Sequence, residues 1–208
     1  MTTTDAIAGP AQRTMRADAR RNRDRILAAA REAFAEYGAE TQMDDIAGRA
    51  QVGVGTIYRH FPTKDALTGE LLKLKLAAFT ARAREKFDTD ERPFESFADL
   101  IREQTEVMQA DASQHRMMFA MTREAMKGVA PTAAGLRDAV RQIIDRAQAA
   151  GEMRPEVTED DVRTFMCGLG SMMAADAMGV MRYDWRRTLG FWLDGIRAIS
   201  ARDSGPVT

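Results

Sequence analysis

An all-α protein is predicted, and three observations predict it. Apolar residues recur three and four apart along most of the 208 residues. Alternation of β-branched residues over the length of a strand is scarce, and no segment reads convincingly as one. The breaks between apolar runs carry helix punctuation, with Thr41, Thr63 and Asp184 at starts and Gly38 and Gly151 at stops. At 45% hydrophobic residues, a chain of this length can bury a substantial core divided between a small and a larger lobe. The expected architecture is about nine helices, three in an N-terminal unit and the rest in a helical body.

Residues 1 to about 20 are small and polar before turning arginine-rich, with Arg13, Arg16, Arg20, Arg21, Arg23 and Arg25, and read as a flexible basic arm that either follows a DNA backbone or minor groove or simply stays solvated. A helix follows from about Arg23 to Tyr37, with Ile26 or Leu27, Ala30, Phe34 and Tyr37 on one stripe and Gly38 stopping it. A second starts near Gln42, where Thr41 can cap free amides and Asp44 favours the N-terminus; Ile46, Ala47 and Ala50 form its apolar side. Gln51-Val52-Gly53-Val54 then breaks the run, Gly53 supplying freedom at the bend and Val52 plugging the angle. From Gly55 only about two helical turns fit before Pro62. Ile57 and Phe61, four apart, anchor that short helix.

After Thr63 one long helix runs through Leu67, Leu71, Leu74 and Ala78 to about Phe87 and links the lobes. Beyond a polar break at 88–93, Phe94 to Ala110 is amphipathic. The next helix starts at Ser113 and stops at Gly128-Val129-Ala130-Pro131; another carries Leu136, Val140, Ile143, Ile144 and Ala147 to Gly151. The last two span about Asp160 to Gly179 and Asp184 to Ala201. Their seams are Val162, Met166, Leu169, Met173 and Val180 on one, and Trp185, Leu189, Trp192, Ile196 and Ile199 on the other. The second steps four-three-four-three, the spacing of a helix packed lengthwise in a bundle. Homodimerisation in a four-helix arrangement is expected through Val162, Met166, Leu169, Met173, Trp185, Leu189, Trp192 and Ile196.

With Ile57 and Phe61 inward, the short helix turns Thr56, Tyr58, Arg59 and His60 elsewhere. Thr56 offers a methyl and a hydroxyl to base edges, Arg59 or His60 can donate to guanine or phosphate, and Tyr58 suits phosphate. Gly55 permits close backbone approach, and Lys64 adds a cation at the next helix entrance. A solvated surface helix is the bland reading; caps, turn and basic-polar face within so few residues favour a DNA-binding helix-turn-helix over 42–61. The net charge of −1 hides a split: ten Lys and Arg against eight Asp and Glu over residues 1–64, then twenty against twenty-three.

Arg25 to Gly38, and above all Tyr58-Arg59-His60-Phe61-Pro62-Thr63-Lys64-Asp65-Ala66-Leu67, resemble the DNA-binding domain of the TetR/AcrR family of transcriptional repressors. The resemblance covers about the first third of the chain. Gln51 stands where the family commonly has a glycine, and Gly53-Val54 replaces a frequent polar-basic pair, so that Val54 would offer apolar contact to a thymine methyl. The expected DNA set is Thr41, Gly53, Val54, Gly55, Thr56, Tyr58, Arg59, His60 and Lys64, on a domain spanning 21–80. The resemblance also implies dimerisation through the last two helices and an effector cavity in the body, 81–202.

Of 14 methionines, 11 lie beyond residue 100, and a wall of unbranched, polarisable side chains adapts to ligands of different shape. Such a stripe alone is more often an ordinary core, and the resemblance reverses that for some of these residues. Phe97, Met108, Met118, Phe119, Met121, Phe165, Met166 and Met172 are the expected ligand-binding residues, with Gln104 among several polar groups able to orient a ligand. Cys167 reads as a small buried thiol. One cysteine excludes an internal disulfide, and neither a signal peptide nor a membrane-length apolar run is evident, so cytoplasmic residence is expected. Two histidines far apart, no phosphate loop and no ligand-spaced cluster argue against an enzyme, a metal site or a cofactor. The expected function is a repressor released from a pseudo-palindromic operator in double-stranded DNA by a small hydrophobic effector. The alternatives are an architectural DNA binder without an effector and a small helical enzyme.

Overall fold

The computed structural model describes residues 10–89, 92–110, 121–180 and 182–198. Among them the secondary structure is eight α-helices, one turn of 3₁₀ helix and no strand; Met153 and Arg197 form one isolated bridge. The helices are α1 (Pro10–Tyr37), α2 (Met43–Arg49), α3 (Val54–His60), α4 (Lys64–Thr89), α5 (Pro93–Ala110), α6 (Arg123–Ala149), α7 (Glu159–Ala177) and α8 (Trp185–Ile196). They fall into two compact units that divide between Leu67 and Thr68, inside α4. That division falls within the same helix as, and ahead of, the boundary expected at 80.

In the first unit α2 packs on α1 and on α3. The core is the stripe Ile26, Leu27, Ala30, Ala33 and Phe34 of α1, with Met43, Ile46 and Ala47 of α2 and Ile57 of α3. α1 begins at Pro10, so the flexible arm expected over 1–20 is helical from residue 10 onwards; residues 1–9 lie outside the described residues. Good helix formers run without Gly or Pro from Ala11 to Tyr37, and the proline sits at the first helical position, where its missing N–H costs nothing. At the far end of α1, Arg49 pairs with Glu36 and reaches the Tyr37 hydroxyl at 3.3 Å. The Tyr37 hydroxyl, then Arg49, hold the Glu36 carboxyl below its ordinary range.

α2 ends in a Schellman motif. The Gln51 amide bonds the Gly48 carbonyl at 3.1 Å and the Val52 amide bonds that of Ala47 at 3.0 Å. Such an ending needs a left-handed residue, and Gln51 has φ 52°, the one positive φ among the described non-glycine residues. Gly53, expected to supply the bend, has an ordinary extended φ of −67° and ψ of 146°. Sequence composition drew attention to the glycine; hydrogen bonding puts the strain two residues earlier.

In the second unit α5 packs on α6 and α7, and α6 on α7. α6 corrects the expectation of two helices broken at 128–131, because Pro131 lies inside it. Pro131 and Lys127, whose carbonyl loses its partner, are both exposed, so water can serve that carbonyl. Val129 on one side and Val140, Ile143, Ile144 and Ala147 on the other are buried, which holds the helix across the break. The Ser113 start lies outside the described residues. Thr158 and Asp161 close a capping box on α7, and Asp184 caps α8 through the Arg187 amide at 3.1 Å.

The expected dimer seam is the core of this unit instead. Val162, Met166, Leu169, Met173, Trp185, Leu189 and Ile196 are buried within one subunit, and Trp192 packs against them. Trp192 stacks on Phe165 with ring centroids 4.2 Å apart and lies 6.2 Å from Phe97, so the three rings join α8, α7 and α5. Periodicity identified a buried face correctly; it carried no information on whether the cover came from the same chain.

The strain at Gln51 is measurable. A left-handed conformation costs an ordinary residue about 1–2 kcal/mol that glycine avoids. Gln51→Gly is expected to stabilise the protein by about 1 kcal/mol, raising Tm by roughly 2–4 °C in a thermal melt. An unchanged or lower Tm would show that the turn is relaxed.

Candidate nucleic-acid interface and apolar cavity

The first unit carries one candidate site, on α3. Ile57 and Phe61 are buried, one helical turn apart, and so fix which side of the helix faces out. Arg59 and Gly55 are exposed, Tyr58 is 44% exposed and Val54 45%, while Thr56 and His60 are half-buried. A Cβ at Gly55 would meet nothing within 4 Å, so the space beside that backbone is open. Gly53, also exposed, is the N-cap residue of α3. Lys64 lies with Nζ 5.9 Å from the Phe34 ring centroid, at the start of α4, where Thr63 Oγ1 accepts from the Ala66 amide at 3.0 Å. The helix thus presents an apolar methyl pair, a phenol, a guanidinium and bare backbone together, a mixture suited to groove edges and phosphates.

Thr41 does not belong to that face. Its side chain is 0% exposed, and its hydroxyl donates to the Gly38 carbonyl at 2.8 Å and the Ala33 carbonyl at 3.0 Å. It is a strap between the end of α1 and the start of α2, and α2 has no side-chain cap. A threonine before an acidic turn resembles a cap in sequence; here the hydroxyl is turned back to the Ala33 and Gly38 carbonyls, and the Gly38 carbonyl also accepts the Thr41 amide at 3.3 Å. Arg23, one of the arginines of the expected basic arm, has its guanidinium 5.3 Å from the Phe61 ring centroid.

The second unit contains a cavity of ≈ 350 Å³. Of the expected ligand residues, Met108, Met121 and Met166 line it. Phe97 and Phe165 do not, being held in the aromatic cluster with Trp192, and Met172 is not among the lining residues either. Met118 and Phe119 lie outside the described residues. Cys167, expected to be buried, is half-exposed and lines the cavity. The main wall that was missed is one face of α4, where Thr68, Leu71, Leu72, Lys75, Leu76 and Phe79 recur at three- and four-residue steps. That stripe is legible in the sequence, although its function as a cavity wall is not. Of the polar groups proposed, Gln104 lines the cavity, its carbonyl oxygen accepting from Arg82 at 2.5 Å. Arg137 and Arg163 also border the cavity, and both border a second, more open hollow beside it.

A helix-turn-helix unit with a basic-polar second helix, followed along the chain by a helical unit that holds an apolar cavity, is the architecture of a transcriptional regulator. The family follows from two matches: the model of bacterial regulatory proteins of the tetR family over residues 26–71, and that of the SbtR-like transcriptional regulator C-terminal domain over residues 92–198. The chain belongs to the TetR family. It is similar to the HTH-type transcriptional repressor KstR of Rhodococcus jostii, 34% identical over 67% of this chain and 64% of that one, so it spans somewhat less than two thirds of that relative. A solved TetR transcription regulatory protein from Mycobacterium vanbaalenii is 27% identical with a TM-score of 0.59, covering 88% of this chain and 99% of that one. FadR from Bacillus subtilis, solved with stearoyl-CoA, shares the fold at a TM-score of 0.65 and 22% identity, over 82% and 95% of the two chains.

The reassignment of Thr41 has a direct test. Thr41→Val removes a buried donor from two carbonyls and is expected to destabilise by about 1–3 kcal/mol, whereas Thr41→Ser, which keeps the hydroxyl, should lose much less. DNA affinity, measured where all three remain folded, should agree within about twofold. A valine variant of native stability but weakened DNA binding would return Thr41 to the interface.

Proposed function

We propose that the chain is a transcriptional repressor, acting in the cytoplasm as a homodimer on a pseudo-palindromic operator and released by a small apolar effector. The observation that carries this reading is the division of α3 into a buried pair, Ile57 and Phe61, and an open face of Gly55, Tyr58 and Arg59. Val54 and Thr56 are assigned contact with thymine methyls and base edges, Arg59 and His60 donation to guanine or phosphate, and Tyr58 and Lys64 contact with phosphate. Gly53 and Gly55 let backbone approach the DNA. Two such helices on a dimer read half-sites about 34–36 Å apart.

The cavity favours an effector-responsive regulator over an architectural binder. Its walls are mostly Leu, Val, Met and Phe, and at about 30 Å³ per water-sized group it holds on the order of a dozen heavy atoms. Gln104, whose carbonyl is taken by Arg82, has amide N–H donors with no partner among the described residues, and these can serve a ligand. An effector releases the repressor only by binding the form unsuited to the operator more tightly than the operator-bound form. α4 is the covalent connection between the two units and the element that would carry the change. No catalytic role is assigned to any residue.

For the dimer, the residues the core leaves outward are the basis. Phe191 is 64% exposed, and Gly168, Ser171 and Gly195 on α7 and α8 are exposed and small. An exposed phenylalanine one helical turn from an exposed glycine, Gly195, is a typical anchor for a packed helical interface. Phe191→Glu is expected to give a folded monomer by light scattering, with operator affinity reduced by at least tenfold. A dimer of undiminished stability would place the interface elsewhere.

The function itself is tested by footprinting on the DNA upstream of the chain's own gene. The wild type should protect a two-fold site, and Arg59→Ala should weaken binding by about 1–3 kcal/mol with relaxed sequence preference. Members of an apolar compound library should release the wild type and fail on Ala133→Trp, which fills the cavity. No protection at low salt by a folded dimer would refute repression, and protection that no compound alters would favour the architectural alternative.

A further inference from the structure

The inward stripe of α1 changes chemistry without changing step. Phe34, Ala30 and Leu27 are buried, and the same four-three-four alternation continues through Arg23, Arg20 and Arg16. At 3.6 residues per turn all six fall within a sector of about 80°. The face that α1 turns toward the core therefore runs on, past the packed part of the unit, as a row of arginines. Arg23 marks the transition: it is half-buried, its guanidinium set against Phe61 at the end of α3. Arg20 and Arg16 are exposed, and neither makes an ion pair or side-chain hydrogen bond with a described residue. Arg21 and Arg25, on the other side of the helix, are instead occupied by Asp18 and by Asn22, the latter at 2.7 Å.

We infer that Arg16, Arg20 and Arg23 form a helical rail that lies along the DNA phosphate backbone beside the groove that takes α3. The inference rests on the reading of α3 as the recognition helix, because the row begins at the residue that ends that helix. From Arg23 to Arg16 is about 10 Å along a helix. One DNA strand sets a phosphate every 3.4 Å of axis and further apart along the winding backbone itself, so the rail spans about two of them. Arginine at each position suits this use, since a guanidinium can grip a phosphate with two N–H donors. The rail adds affinity without sequence preference, and being helical it holds its charges at fixed spacing from α3, which a flexible arm would not.

The test uses the full-length dimer and replaces Arg16 and Arg20 together by glutamine, a neutral residue that keeps the helix. Binding is measured by anisotropy against salt, on an operator duplex and on a scrambled one. Loss of four phosphate contacts per dimer should reduce the slope of log K against log salt by about 3.6. Both duplexes should weaken by the same factor, and Arg16→Lys with Arg20→Lys should restore most of the slope. A change in slope below about 1, with helix content by circular dichroism unaltered, overturns the rail while leaving α3 as the reader. Reduced binding to phosphatidylglycerol vesicles at an unchanged DNA slope overturns it in favour of a membrane surface. A wild type that retains neither duplex overturns the reading of α3 and the rail with it.

Discussion

Everything on the candidate DNA face depends on the burial of Ile57 and Phe61. α3 has seven residues and no side-chain cap, and isolated helices shorter than about 12–15 residues are marginal in water. Two large side chains one turn apart, both removed from solvent, contribute about 1.5–3 kcal/mol each and make the helix part of the unit's core. The same burial sets its rotation. With positions 57 and 61 inward, Gly55, Tyr58 and Arg59 have nowhere to go but outward, whatever they bind. Phe61 serves a second purpose, since its ring receives the Arg23 guanidinium and so ties the middle of α1 to the end of α3.

The direction in which α3 leaves α2 is set by a helix ending that recurs twice in the second unit. α6 ends with bonds from Gly151 to Gln148 and from Glu152 to Ala147, and α7 with bonds from Gly179 to Asp176 and from Val180 to Ala175. Those glycines have φ 70°, and Gln51 at the end of α2 has φ 52°. Three helices thus stop by the same pair of hydrogen bonds, two on a residue that accepts the conformation freely and one on a residue that does not. Gln51 is exposed, so no packing compels a side chain there. The two hydrogen bonds and the seating of Val52 next to Ala47 hold the turn against the strain.

Helices with chemical punctuation were legible to within a few residues: α3, α5, α7 and α8 all begin next to a residue that marks a start in the sequence. α1 was not, because an arginine-rich run of small residues has the composition of a tail and the propensities of a helix. Pro131 misled for the opposite reason; a breaker on an exposed side, between two buried stretches, breaks nothing. In the second unit the sequence ranked residues by size and polarisability, which brought Met108, Met121 and Met166 to the cavity but also Phe97 and Phe165. The aromatic pair is engaged by Trp192, a partner 27 residues from the nearer of them in the chain, and stacking between distant segments has no periodic trace.

The seam on α8 shows how far periodicity reaches. Trp185, Leu189, Trp192 and Ile196 repeat at the spacing of a helix packed along its length, and that spacing is the same whether the neighbour belongs to the same chain or another. Burial decides for three of them: one subunit already covers Trp185, Leu189 and Ile196, while Trp192, packed against that core, is only partly buried. A dimer must be built from what that core leaves over, and one residue away from Trp192 the helix carries Phe191 into solvent with Arg187 set against its ring, the guanidinium 5.3 Å from the centroid. A ring of that size, held in place on a short amphipathic helix and left uncovered by its own subunit, has an apolar face that only another surface can remove from water.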